Sequence, residues 1–245
     1  MPEPPFFALS VLKGYHVVGS NRKIGTVKDM LFVDDRWKVR WLVVDIGSRL
    51  SGRKVLIHPS AIAEMDHSLE ELRVPLTRQQ VEGSPDIGAD RKLSKDLEAR
   101  LFAHYGWDPN WGGSLTSGTS EGPPVLPGAV GESVDDPHLR SFEAVTDYRL
   151  RATDGEIGNV EDFLVDRAGW NIGYLIVAVG KWWFGKQVLV APYAVTGIDW
   201  LNGEILLNVT SEQVKSSPAW SPLQLIETEY EAKLHQHYGW PDYRR

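Results

Sequence analysis

Hydrophobic and polar positions alternate over short runs along most of the chain, and the same runs come twice. From Thr26 to Val33 one alternating set is Val27, Asp29, Leu31 and Val33, and 133 positions further on it returns as Val160, Asp162, Leu164 and Asp166. A period of two over that length predicts a strand with one buried face. A turn follows at Asp34-Asp35-Arg36, or Arg167-Ala168-Gly169, and then a strand opened by Trp37 or Trp170. Leu42, Val44 and Ile46, matched by Leu175, Val177 and Val179, form its expected core face. Trp41 and Val43 point the other way, toward a covering helix or the other domain. Val55-Leu56-Ile57 and Val188-Leu189-Val190 predict a further strand, ended by Pro59 or Pro192, which cannot donate to a ladder. Short strands are expected around Leu72 to Leu76 and Ile205 to Val209.

Helical signals are few. Thr77-x-x-Gln80 and Thr210-x-x-Gln213 resemble capping boxes that open short helices. Each copy then ends in one longer helix. Ser94 caps the first, with Leu97, Leu101 and Tyr105 four residues apart on one face; Tyr230, Leu234 and Tyr238 repeat the stripe. Gly106 and Gly239 stop the two helices.

Residues 12–107 align with the second copy without a gap, including Ile24-Gly25 with Ile157-Gly158 and His104-Tyr105-Gly106-Trp107 with His237-Tyr238-Gly239-Trp240. A unit of this length is too long for a solenoid repeat and holds a core of its own. The organisation expected is a first domain with its helix over 8–107, a flexible Gly/Ser/Pro linker over 108–139, and a second domain with its helix over 140–245. Many short strands with close turns, and no helices between strands for parallel crossovers, predict a mainly β fold. It consists of two tandem small, partly open antiparallel β-barrels, each followed by a C-terminal α-helix, related by a pseudo-two-fold axis.

Composition narrows the chemistry. With no cysteine, the chain has no disulfide, thiolate nucleophile or cysteine-held metal centre. A net charge of −7, without any basic run, argues against nucleic acid as a partner. The start, Met1-Pro2-Glu3-Pro4-Pro5-Phe6-Phe7, lacks the basic and apolar regions of a signal peptide, so a cytoplasmic protein is expected. The apolar stretch from Tyr174 to Val195 is interrupted by Lys181, Lys186, Gly180, Gly185 and Pro192, so a hairpin is expected there rather than a membrane span.

The pattern Ile24-Gly25-x-Val27-x-Asp29-x-Leu31, the Trp/Tyr-Leu-Val/Ile-Val strand and the loop into Val55-Leu56-Ile57-His58-Pro59, all repeated, resemble the PRC-barrel domains. That family includes the cytoplasmic domain of the photosynthetic reaction-centre H subunit and the C-terminal domain of a ribosome-maturation factor. The similarity covers roughly residues 10–85 and 143–218, and the helix with its Tyr-Gly-Trp ending looks like that of bacterial tandem PRC-barrel proteins. The resemblance implies a partly open barrel used for protein interaction or assembly, without known catalysis. This chain lacks the transmembrane helix of the one relative and the N-terminal domain of the other.

Candidate polar groups are few. Asp29 and Asp162 sit on the inward face of a strand, where a carboxylate most often accepts backbone hydrogen bonds at a turn or bulge. Asp45 is copied by Ala178 and is read as a solvated position. His104 and His237 fall at matched helix ends, suited to the carbonyl end of the dipole. His235 and His237, two apart, do not share a face on which to chelate a metal. Gly118-Thr119-Ser120-Glu121-Gly122 matches a nucleophile elbow in letters only, because it lies in the linker rather than between a strand and a helix. The sequon at Asn208 is not expected to be used, since no signal toward a secretory route is read from the sequence, and no P-loop or GxGxxG occurs. No catalytic residue, cofactor or metal is therefore expected.

The sharpest difference between the copies is Lys181-Trp182-Trp183-Phe184-Gly185-Lys186, which replaces Ser48-Arg49-Leu50-Ser51-Gly52-Arg53. Trp182, Trp183 and Phe184 are the candidate interaction residues, since three adjacent aromatics rimmed by lysine resemble interface anchors. Packing of the loop onto the barrel end or the other domain is the alternative. Two function classes follow: a non-enzymatic adaptor for an unidentified protein partner, possible also as a homodimer or an intramolecular pseudo-dimer, and a small-ligand or enzymatic site between the barrels using Asp29, Asp162, Tyr148 or His58. An accessory role in assembling a photosynthetic complex rests on family association alone.

Overall fold

The computed structural model describes residues 5–20, 22–47, 52–87, 93–107, 136–179, 186–221 and 228–240. In the first copy the strands are β1 (Phe6–Ala8), β2 (His16–Val18), β3 (Lys23–Val33), β4 (Lys38–Asp45), β5 (Lys54–Ile57), β6 (Glu64–Asp66) and β7 (Glu71–Arg73), followed by helices α1 (Arg78–Glu82) and α2 (Lys95–Tyr105). The second copy has β8 (Leu139–Ser141), α3 (Phe142–Val145), β9 (Arg149–Ala152), β10 (Gly155–Asp166), β11 (Ile172–Val179), β12 (Lys186–Val190), β13 (Val195–Asp199), β14 (Glu204–Leu207), α4 (Ser211–Ser216) and α5 (Thr228–Tyr238). Single 3-10 turns cover Leu9–Leu12, Pro59–Ala61 and Pro192–Ala194, the last two where the prolines end their strands.

Two sheets result, ordered β5-β4-β3-β2-β7-β6 and β12-β11-β10-β9-β14-β13. Both are open paths with unjoined end strands. Neighbours run antiparallel except β2 with β7 and β9 with β14, which are parallel. The strand ahead of each copy joins the other copy's sheet: β1 pairs with β10, and β8 pairs with β3.

The chain forms two compact units that do not follow the repeat boundaries. One contains residues 140–245 together with 1–13 and 32–40, the tip of the β3–β4 hairpin. The other contains 14–31 and 41–139. In the first of these, Val39 N–H donates to Trp170 O at 2.9 Å and Ile172 N–H donates to Trp37 O at 2.6 Å. Phe32 and Phe142 both meet the edge of Phe163, at ring-centroid distances of 5.3 and 5.5 Å. Leu150, Val160, Leu175, Val177, Val188 and Ile205 are fully buried around them.

In the other unit Val17, Val27, Leu42, Val44, Val55, Ile57 and Leu72 fill the core. Trp41 and Val43 are equally inaccessible, so β4 is buried on both faces. A strand buried on both faces reads as an unbroken apolar run, as Trp41-Leu42-Val43-Val44 does.

Local chemistry accounts for the helix ends. Thr77 and Thr210 form capping boxes with Gln80 and Gln213, and the Ser94 side chain accepts the Leu97 N–H at 3.1 Å. Gly106 and Gly239 close the long helices at φ of 67° and 72°. The short helices are held from outside as well. Arg53, at the start of the β5 hairpin arm, donates to the carbonyls of Glu82 and Ser84, and its counterpart Lys186 donates to those of Lys215 and Ser217. A cation at the carbonyl end of a helix is favoured by the dipole.

Candidate functional site

The predicted aromatic loop, Trp182, Trp183 and Phe184, lies outside the described residues. Asp29 and Asp162 are buried. Asp29 Oδ1 accepts the Met30 N–H at 2.9 Å. Asp162 follows a break in register between Val160 and Asp162, and its Oδ1 accepts the N–H of Phe163 at 2.7 Å and of Ser10 at 3.1 Å. Its Oδ2 accepts a hydrogen bond from the Ser10 hydroxyl. Ser10 lies in the first turn of the 3-10 segment Leu9–Leu12, so the carboxylate acts as a cap supplied from another strand. Burial pushes the Asp162 carboxyl above its ordinary range, and the Ser10 and Phe163 hydrogen bonds pull against that rise.

The other polar candidates also hold elements together. His104 and His237 each donate Nε2–H, at 2.7 Å, to the carbonyl of Gln80 or Gln213. Each ties its long helix to the neighbouring short one, rather than capping its own. Tyr148 packs against the Trp200 ring at 6.0 Å. His58 lies among Trp41, Phe102 and Trp107 at centroid distances of 5.5, 5.9 and 6.2 Å. Ser60 N–H donates to its Nδ1 at 3.3 Å.

Reading along one copy missed the corresponding cluster in the second. Tyr174 donates its hydroxyl to Glu231 at 2.9 Å. With that proton committed, His235 Nε2–H donates to the phenol oxygen at 3.2 Å. Trp240 and Tyr193 pack on His235 at 6.0 and 6.4 Å. The signal was available in a position-by-position comparison: His58 is copied by Ala191, and Phe102 by His235.

Exposed apolar groups form a different kind of candidate. Leu201, at the β13–β14 turn, is 97% exposed. The turn is locked by Asp199, whose carboxylate accepts the N–H groups of Leu201 and Asn202 at 3.1 and 3.0 Å and the Asn202 side-chain amide at 2.7 Å. These bonds hold the Asp199 carboxyl below the usual range. Beside it Arg140 lies over the Trp200 ring at 4.0 Å while pairing with Asp34 at 2.9 Å. The position of Leu201 is Ser68 in the first copy. Among the described residues no group of three or more His, Asp or Glu side chains is placed to hold a metal ion, and no helix is long and apolar enough to cross a membrane.

Two curled, open sheets, each carrying one terminal helix, define a duplicated small β-barrel protein. The PRC-barrel domain model matches residues 4–69 and again 149–214, together more than half of the chain. The chain belongs to the PRC-barrel family, with two domains in tandem. No curated protein matches it.

Proposed function

We propose that this protein is a non-enzymatic interaction or assembly module that presents apolar side chains of its second copy to a protein partner, in a cytoplasmic setting. The observation that carries the reading is Leu201, almost wholly exposed on a turn that Asp199 holds in one conformation. A rigid apolar knob loses little conformational entropy on docking, which is what an interface anchor requires. The polar candidates support the same reading, since buried Asp162, exposed His104 and half-buried His237 spend these hydrogen bonds on joining elements.

The test is capture from lysate of the source organism with the parent, a Leu201→Asp variant and a Trp182→Ala/Trp183→Ala variant, followed by direct titration of any captured protein after purification. A partner that binds the parent and loses at least about tenfold affinity with folded Leu201→Asp supports the proposal. Equal affinity for all three chains removes it. Partner identity also tests the narrower role in a photosynthetic complex, and light scattering tests homodimerisation. The small-ligand alternative has its own test: saturable ligand-induced stabilisation that is lost in Tyr174→Phe would select it.

A further inference from the structure

Each long helix packs its aromatic face on its own sheet, and the two packing sites are built from almost the same parts. On the helix side the residues that enter the cluster are Glu98, Phe102, Tyr105 and Trp107 in the first copy, and Glu231, His235, Tyr238 and Trp240 in the second. Three of the four positions are identical, and Tyr105 and Tyr238 stack on their tryptophans at 4.3 and 3.9 Å. Only Phe102 and His235 differ.

The sheet side differs in compensation. Trp41, His58 and Ser60 of the first copy become Tyr174, Ala191 and Tyr193. Both copies thus place one imidazole in the cluster, from the loop after β5 in one and from the helix in the other. Glu98 receives the Trp41 indole N–H at 3.3 Å, and Glu231 receives the Tyr174 hydroxyl at 2.9 Å. Tyr193, set edge-on to Trp240 at 4.8 Å, brings bulk where the first copy has Ser60.

We propose that position 102 in the first copy and 235 in the second determine which sheet each C-terminal helix accepts. A helix bearing phenylalanine suits a sheet that brings its own histidine. A helix bearing histidine suits a sheet with alanine and a phenol whose oxygen takes the imidazole N–H. In the mismatched pairing of His235 with the His58 sheet, a smaller, polar imidazole would replace the phenyl ring that packs on Trp41, His58 and Trp107, losing apolar contact and placing ring nitrogens where that sheet offers no phenol oxygen. In the mismatched pairing of Phe102 with the Ala191 sheet, the Tyr174 oxygen would lose its donor and a void would open beside the alanine. A duplicated chain has two helices and two sheets of matching design, so such discrimination suppresses cross-docking within the chain and between copies.

The test is a cycle of two blocks in the full chain. The sheet-side block is Trp41→Tyr/His58→Ala/Ser60→Tyr, and the helix-side block is Phe102→His. Amide exchange in residues 95–105 is measured for the parent, each block and their combination. Each block alone should speed exchange by about tenfold or more, and the combination should return to within about threefold of the parent. Loss in the combination equal to the product of the two separate effects overturns the proposal. If a single block prevents folding, the readout is rescue: a folded combination supports the proposal and an unfolded one overturns it. The converse graft, Tyr174→Trp/Ala191→His/Tyr193→Ser with His235→Phe, must behave in the same way in residues 228–238.

Discussion

Ser10 donates its backbone N–H to Asp162 Oδ1 at 3.1 Å across 152 positions of sequence. The bond fastens the segment after β1 to the centre of β10, where Phe7 pairs with Val165. Replacement of Asp162 by alanine takes the side-chain acceptor from the buried Phe163 N–H and from the part-buried Ser10 N–H, and a loss of about 1–3 kcal/mol is expected. Denaturant unfolding measures it, and amide exchange should show residues 6–12 released first.

The same carboxyl sets a pH dependence. Burial raises its folded-state pKa above the ordinary 3.8, so the folded state binds the proton more tightly than the unfolded chain. Its contribution is fully present below the ordinary value and is lost as pH rises through the raised one. As pH rises from the ordinary carboxylate value through the raised one, the stability of the parent should therefore fall relative to that of Asp162→Asn. A difference that grows with pH would show that the hydrogen bonds outweigh burial.

Alkaline sensitivity is expected at the end of α5. Burial pushes the Tyr238 phenol from 10.0 up to about 12, with the Ser217 hydroxyl opposing. The neutral phenol's contribution is intact below the ordinary value and disappears as pH rises through the folded one, a change of about 2–3 kcal/mol. Tyr238→Phe should flatten the unfolding profile in that window, and an unchanged profile refutes the assignment.

Left-handed positions predict opposite substitutions in the two copies. Glu70 has a φ of 53°, and its counterpart Gly203 has 63°. Glu70 is exposed, so Glu70→Gly should stabilise by about 0.5–1 kcal/mol by relieving the Cβ strain. Gly203→Ala should cost about 1 kcal/mol for the same reason, since its Cβ would meet the Tyr148 ring only at ordinary contact distance, 3.5 Å. Thermal unfolding of both variants checks the pair.

Gly25 and Gly158 are required for another reason. Neither has a positive φ, but a Cβ on Gly25 would collide with the Asp45 carbonyl, and one on Gly158 with the Ala178 carbonyl. Each alanine variant should lose about 2–3 kcal/mol because backbone on a central strand must move. Losses below about 0.5 kcal/mol would mean the sheets yield at that point.

Much of the fold was legible along the chain, and the candidate site much less so. The long central strands, the proline strand ends, the capping boxes at Thr77 and Thr210 and the helix started by Ser94 all follow from residues within a few positions of one another, and duplication supplied most of these readings with a copy. Alternation also placed Asp29 and Asp162 inside. Fully buried strands blurred the signal: with Trp41, Leu42, Val43 and Val44 all inaccessible, apolar pattern alone does not say which face meets the core and which the helix. Leu201, one leucine between a tryptophan and an asparagine, carries no sign of exposure in its letters.

The sequence by itself determined that there are two copies, and in each the long central strands, the capped short helix and the longer helix that ends at glycine, because propensity, periodicity and capping act between neighbours. Tertiary structure alone decided that β1 joins the sheet of the second copy, that Ser10 is the partner of Asp162, and that His58 and His235 fill equivalent sites from opposite sides. An extended segment offers the same backbone donors and acceptors to any open strand edge, so its choice rests on contacts made across more than a hundred residues, which no local pattern records.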